Sequence, residues 1–190
     1  MIRLLVGVCG SFCNHQAVLN VCRKLSETMS IQFVFTQNVS STSTRFYELD
    51  AFIQECQSIS KLPLITTLVE AELVGPHNHY DIMLIAPATA NQISRLANGA
   101  YDCPVALAAK AMIRNQKNVV IALASNDILG ISSKNVWQLY NTKNFYFVPF
   151  AQDDYKAKPN SCVACFDLIE DSIHKALNNR QIQPLLKEKK

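Results

Sequence analysis

Ile82-Met83-Leu84-Ile85-Ala86-Pro87-Ala88-Thr89-Ala90-Asn91 is the stretch on which the fold turns. Five apolar residues in a row, with no polar alternation, describe a strand buried on both faces, as in a parallel sheet covered by helices. The strand is expected to stop at Pro87, which brings no N–H to a ladder. A helix should follow with Ile93, Leu96 and Ala97 inward and Gly99 just past its end, where a left-handed backbone suits glycine. A second helix should bury Val105, Ala108, Met112 and Ile113.

The same alternation runs outward in both directions. Upstream, residues 4–9 form an apolar run ending at Gly10-Ser11. Val18, Leu19, Cys22 and Leu25 then share a helix face, with Asn14 as the expected N-cap. Residues 31–36 make a second strand, and Phe46, Leu49, Phe52 and Cys56 mark the buried side of another helix. Residues 62–80 fit only a short element and a loop around Gly75-Pro76. Downstream come strands at 119–124 and 145–148, a helix near Trp137, and a last amphipathic helix over about 165–177. The fold class expected is α/β: a single doubly wound, mostly parallel sheet over residues 1–182, then a charged C-terminal tail, 183–190.

Composition narrows the function classes. Of 190 residues 49% are hydrophobic and 17% charged, which suits one well-buried domain and excludes disorder. Much of the net charge of +3 sits in Lys187-Glu188-Lys189-Lys190, a solvated end and not a nucleic-acid surface. No apolar run reaches the roughly 20 residues that span a bilayer, and residues 1–6 are too short a run for a secretory signal. Seven cysteines at irregular spacings point to the reducing cytoplasm.

Each expected strand end opens into small, hydroxyl or amide residues: Gly10-Ser11, Thr36-Gln37-Asn38, Ala88-Thr89-Ala90-Asn91 and Ser125-Asn126-Asp127. Any one of these reads as helix capping or turn formation. Four on one sheet edge read as a site, and a helix start reached through Gly-Ser suits phosphate. The first turn, Gly7-Val8-Cys9-Gly10, lacks the three-glycine dinucleotide pattern, and no carboxylate closes the second strand to grip a ribose. A mononucleotide phosphate fits better. Cys162-x-x-Cys165 is a lone pair with no second pair to complete a metal site, and reads as packing. His15, His77 and His79 read as surface or turn histidines, so no residue is assigned to catalysis.

These loops resemble the homo-oligomeric flavin-containing cysteine decarboxylases. Gly10-Ser11 is similar to their phosphate turn, and Ala86-Pro87-Ala88-Thr89-Ala90-Asn91 with Leu96-Ala97-Asn98-Gly99 and Asp102 to their most recognisable stretch. Two departures stand out: Pro149-Phe150-Ala151-Gln152 replaces their Pro-x-Met-Asn clamp, and no residue matches their catalytic histidine. A closer resemblance, over nearly the whole chain, is to the branch formed by the B subunits of dipicolinate synthases. It rests on Ser41-Thr42-Ser43-Thr44-Arg45-Phe46, Ala108-Ala109-Lys110-Ala111-Met112, Ser125-Asn126-Asp127-Ile128-Leu129-Gly130, Ser133-Lys134-Asn135, and the run from Pro149 through Asp153-Asp154 to Ser161.

The resemblance implies a flavoprotein-type, Rossmann-like sheet and a cytoplasmic enzyme subunit in the mother cell of a spore-forming bacterium. It implies oxidation of a dihydrodipicolinate-type precursor to dipicolinate, with NADP held by a separate A subunit, and a homo-oligomer. FMN would be cradled by Gly10, Ser11, Thr36, Thr89 and Asn91. The small dicarboxylate substrate would meet Arg45, whose guanidinium suits a carboxylate, with Asn126, Asp127, Gln152 and Asp153 closing the pocket. The rival readings are an FMN-dependent decarboxylase and a non-catalytic partner that stabilises the A subunit.

Overall fold

The apolar runs form a central sheet with a helical layer on each side. A computed structural model describes residues 1–77 and 79–187. The elements are β1 (Ile2–Val8), α1 (His15–Leu25), β2 (Met29–Phe35), α2 (Gln37–Ser41), α3 (Leu49–Ile59), α4 (Leu68–Glu72) and α5 (Val74–His77). After them come β3 (Ile82–Ala88), α6 (Ala90–Ala97), α7 (Pro104–Arg114), β4 (Asn118–Ser125) and α8 (Ser133–Tyr140). The last are β5 (Phe145–Phe147), β6 (Phe150–Gln152), β7 (Cys162–Ala164) and α9 (Ile169–Leu177).

The strand order is β2-β1-β3-β4-β7-β6, with β5 also on β4. The doubly wound α/β expectation is met: β1 to β5 are parallel, and β6 and β7 add an antiparallel extension. Alternate side chains of each strand point to opposite layers. Leu5, Met83, Ile85, Val119 and Ile121 pack under α6, α7 and α8, with Ile93, Val105 and Val136. Leu4, Val6, Leu84 and Val120 pack on the other face, with Val18, Cys22, Phe52 and Ile173. Gly7 sits where α7 presses closest, since a Cβ there would lie 2.8 Å from Val105 Cγ1.

Several local expectations are corrected. β3 does not stop at Pro87. It passes through a cis Ala86–Pro87 bond and a register shift to pair Ala88 with Leu123. Phe46 precedes α3 and is half exposed, so the buried face of that helix is Phe52, Cys56 and Ile59. Ile113 is only partly buried. Asn14 offers no side-chain cap to α1; its Nδ2 donates to Ser11 Oγ instead. Gly75 and Pro76 lie inside α5, not in a loop. Cys162 belongs to β7, and the last helix begins at Ile169 after a 3-10 turn.

The outer strands are each met by something other than a strand. Ile65 exchanges two backbone bonds with Phe33 and Phe35 of β2, both 2.9 Å. The Gln181 side-chain amide accepts from the Phe147 N–H and donates to the Phe147 carbonyl on β5, at 2.8 and 2.7 Å. Phe150 of β6 donates to Leu185 O and accepts from Lys187 N. Of the expected tail, residues 183–187 therefore include a segment docked on β6, with Leu185 buried; residues 188–190 lie outside the described residues. Among the described residues no helix is long and apolar enough to cross a membrane.

Candidate functional site

From β1 the chain crosses outward to β2, then returns past β1 to β3. The loops leaving β1 and β3 therefore diverge, which opens a crevice at the carboxyl ends of the strands. A cleft of about 770 Å³ lies there, walled by the ends of β1, β3 and β4 and by the extension β6–β7.

The first corner is built by the β1 turn and the start of α6. Ser11 N donates to Cys9 O at 2.9 Å, and Asn14 Nδ2 donates to Ser11 Oγ at 2.9 Å. The Ser11 hydroxyl proton is thus left to donate elsewhere. A Cβ on Gly10 would meet nothing nearer than the Phe12 ring at 3.8 Å, so the space over the turn is open. Thr89 caps α6 by accepting from Gln92 N, while the Ala90 and Asn91 amides have no intrahelical acceptor. Gly10, Ser11, Thr89, Ala90 and Asn91 all wall the cleft, and a phosphate fits what they offer: a hydroxyl, free amides and a positive helix end.

His15 holds this turn from below. It is buried, with Nε2 2.7 Å from Cys9 O and Nδ1 2.8 Å from Tyr47 Oη. A carbonyl can only accept, so Nε2 carries the proton and Nδ1 accepts from the tyrosine. Burial pushes the His15 pKa down, against the opposing pull of the Cys9 carbonyl. The ring is neutral and structural. Its helical spacing supplied the missed signal: His15 is three residues before Val18 and four before Leu19, on the buried face. Burial likewise pushes the Cys9 thiol far above its usual range.

The second corner follows β4. Asp127 Oδ2 accepts from Ser132 Oγ at 2.7 Å, and Asp127 O accepts from Gly130 N. Gly130 leaves room for that carboxylate, since a Cβ there would come 2.2 Å from Asp127 Oδ1 and have to displace it. Lys134 and Asn135, on the first turn of α8, also wall the cleft; they were not among the expected site residues. The third wall is the extension, where Asp153 lies 3.6 Å from Lys158 Nζ and its amide bonds Ser161 O. Among the described residues no group of three or more His, Cys, Asp or Glu could hold a metal ion.

The sequence profile of the Flavoprotein family matches residues 1–183. The chain belongs to the flavoprotein family. This flavoprotein is similar to the dipicolinate synthase B subunit of Bacillus subtilis (strain 168), with 43% identity over 187 residues, 98% of this chain and 94% of that one. It also superposes on the crystal structure of the dipicolinate synthase B subunit from Bacillus halodurans C, with a TM-score of 0.91 and 38% identity over 100% and 97% of the two chains. The FMN-dependent cysteine decarboxylase SpaF shares the fold, with a TM-score of 0.67 and 24% identity over 94% and 97%.

In this flavoprotein the cleft gathers Gly10, Ser11, Thr89, Asn91, Asn126, Asp127 and Asp153 from the expected set. Three expected residues are not on its wall. Thr36 follows β2, one strand beyond the crevice, and its amide is used by Val8 O. Arg45 is exposed, its guanidinium 4.9 Å over the Phe46 ring. Gln152 turns its amide to Pro159 O at 3.0 Å, because alternate residues of β6 point away from the cleft.

Proposed function

We propose that this flavoprotein is the B subunit of a dipicolinate synthase in the mother-cell cytoplasm of a spore-forming bacterium. With an A subunit that holds NADP, it oxidises a dihydrodipicolinate-type diacid to dipicolinate. The observation that carries this reading is the 43% identity running across 98% of the chain, far above the likeness to SpaF. The chemistry is a loss of one hydride, to NADP, and one proton, to solvent, and the gain of an aromatic ring supplies the driving force.

The chain's part is to bind and orient. The Ser11 hydroxyl and the Ala90 and Asn91 amides would hold the phosphate of FMN, with Thr89 setting the start of α6. Bound there, FMN would supply a flat ring able to accept hydride. The proposed dependence on a second subunit for NADP follows from the β1 turn, which lacks the three glycines, and from the end of β2, which lacks the ribose carboxylate. Homo-oligomerisation belongs to the same reading.

The test is to measure NADPH formation by each subunit alone and by mixtures. Activity is expected only in the mixture, saturating as A subunit is titrated against a fixed amount of this protein. NADP reduction by this chain alone, or full activity of the A subunit without it, would refute the reading; the second result would make this protein a stabilising partner.

A further inference from the structure

The cleft offers a second place for negative charge, at the start of α8. Ser132 is the N-cap residue there, yet its hydroxyl is turned to Asp127 and makes no cap; Gly130 O meets the Ser133 amide and Ser132 O the Asn135 amide, which leaves the Lys134 amide open. Lys134 and Asn135 stand on that turn, on the cleft wall. No carboxylate lies within ion-pair distance of Lys134 among the described residues, whereas Lys158, the wall's other lysine, is beside Asp153. Asn135 is only 6% exposed. Its Oδ1 takes Asn98 Nδ2 at 3.5 Å, but its own NH2 has no acceptor among the described residues. That NH2 is open to the cleft, where it can donate to an anion in place of water. Three donors on one turn thus converge: the Lys134 backbone amide, the Lys134 ammonium and the Asn135 side-chain amide.

We infer that this corner is a carboxylate site, holding one carboxylate of a planar diacid on Lys134 Nζ and Asn135 Nδ2, while the Gly10-Ser11 corner takes the flavin phosphate. The inference rests on the diacid reading given above. The two corners belong to different strand ends, β4 for the carboxylate and β1 with β3 for the phosphate. Asp127 stands on the same side and repels a dianion. Lys134 offsets that charge, which makes its removal the sensitive test.

Pyridine-2,6-dicarboxylate is titrated calorimetrically into the full chain in metal-free buffer, and FMN is titrated separately by fluorescence quenching. Lys134 is exposed, so Lys134→Met should fold. It is expected to weaken diacid binding about ten-fold or more, the factor of a lost charge-assisted bond, with FMN affinity within about two-fold of wild type. Lys134→Arg should keep most of the diacid affinity. Diacid binding unchanged in Lys134→Met sinks the corner and leaves the diacid reading standing. An equal loss of FMN affinity would make it a phosphate site instead. A wild-type chain that takes no diacid at millimolar concentration overturns the diacid reading and this site with it.

Discussion

His15→Phe isolates the two bonds that hold the phosphate turn. An aromatic ring stays against Tyr47 and Phe52, whose centroids lie 5.6 and 5.0 Å from that of His15, but both ring nitrogens go. Each neutral bond is worth about 1 kcal/mol net. Cys9 O keeps the Ser11 amide, so it is not orphaned. The total is about 2 kcal/mol, which in a chain of this size lowers Tm by about 4–8 °C. The loss should depend on pH. Burial lowers the folded pKa of His15 below the ordinary 6.5, so the unfolded chain binds the proton more readily. The stability that this neutral histidine contributes is therefore present above pH 6.5 and lost as pH falls from there through the folded value. Phe has no proton to take, so the Tm gap between wild type and variant should be widest near neutral pH and narrow towards about pH 5.5. Calorimetric melts across that range measure it. A gap that stays constant, or widens in acid, would refute the neutral structural role assigned to His15.

Gly130→Ala should push the Asp127 carboxylate off Ser132 and cost about 1.5–3 kcal/mol in denaturant unfolding, the worth of a bond to a charged group; wild-type stability would contradict the steric argument. Asn91→Asp should act with opposite signs on fold and ligand. The new carboxylate complements the α6 dipole by about 0.3–1 kcal/mol, while FMN affinity falls roughly ten-fold by repulsion of the phosphate. Undiminished flavin quenching would remove the phosphate from that corner. Arg45→Met should leave FMN and diacid binding by the isolated chain within about two-fold, since the guanidinium lies outside the cleft; a ten-fold loss would return Arg45 to the site.

The parallel core is legible because its strands are long apolar runs and its helices carry a clear period: β1, β3, β4, α1 and α7 follow from the pattern of Leu, Ile, Val and Ala alone. The cleft is legible where strand ends meet small polar residues, at Gly10-Ser11, Thr89 to Asn91 and Asn126-Asp127. What the sequence hides is short or long-range. β6 and β7 have three residues each, too few to show alternation, so the stretch after Pro149 looks like loop. Thr36, Arg45 and Gln152 lie off the cleft wall for directional reasons, since strand order and side-chain parity decide which loop residues face a crevice. Lys134 and Asn135 carry part of the resemblance but are not assigned to the site, because a charged residue at a helix start ordinarily reads as solvated surface.

The groups that meet β2, β5 and β6 leave those strands without an open rail of amides and carbonyls on which a foreign strand could grow. Copies of this chain that assemble must therefore meet through helices and loops, not by continuing the sheet. The protection is lopsided. β2 is guarded from inside the sequence, by Ile65, whereas β5 and β6 are both guarded by the last few described residues, from Gln181 to Lys187. A chain cut back to residue 180 would keep every helix and strand described above and still bare two edges at once, opening both to pairing with another chain.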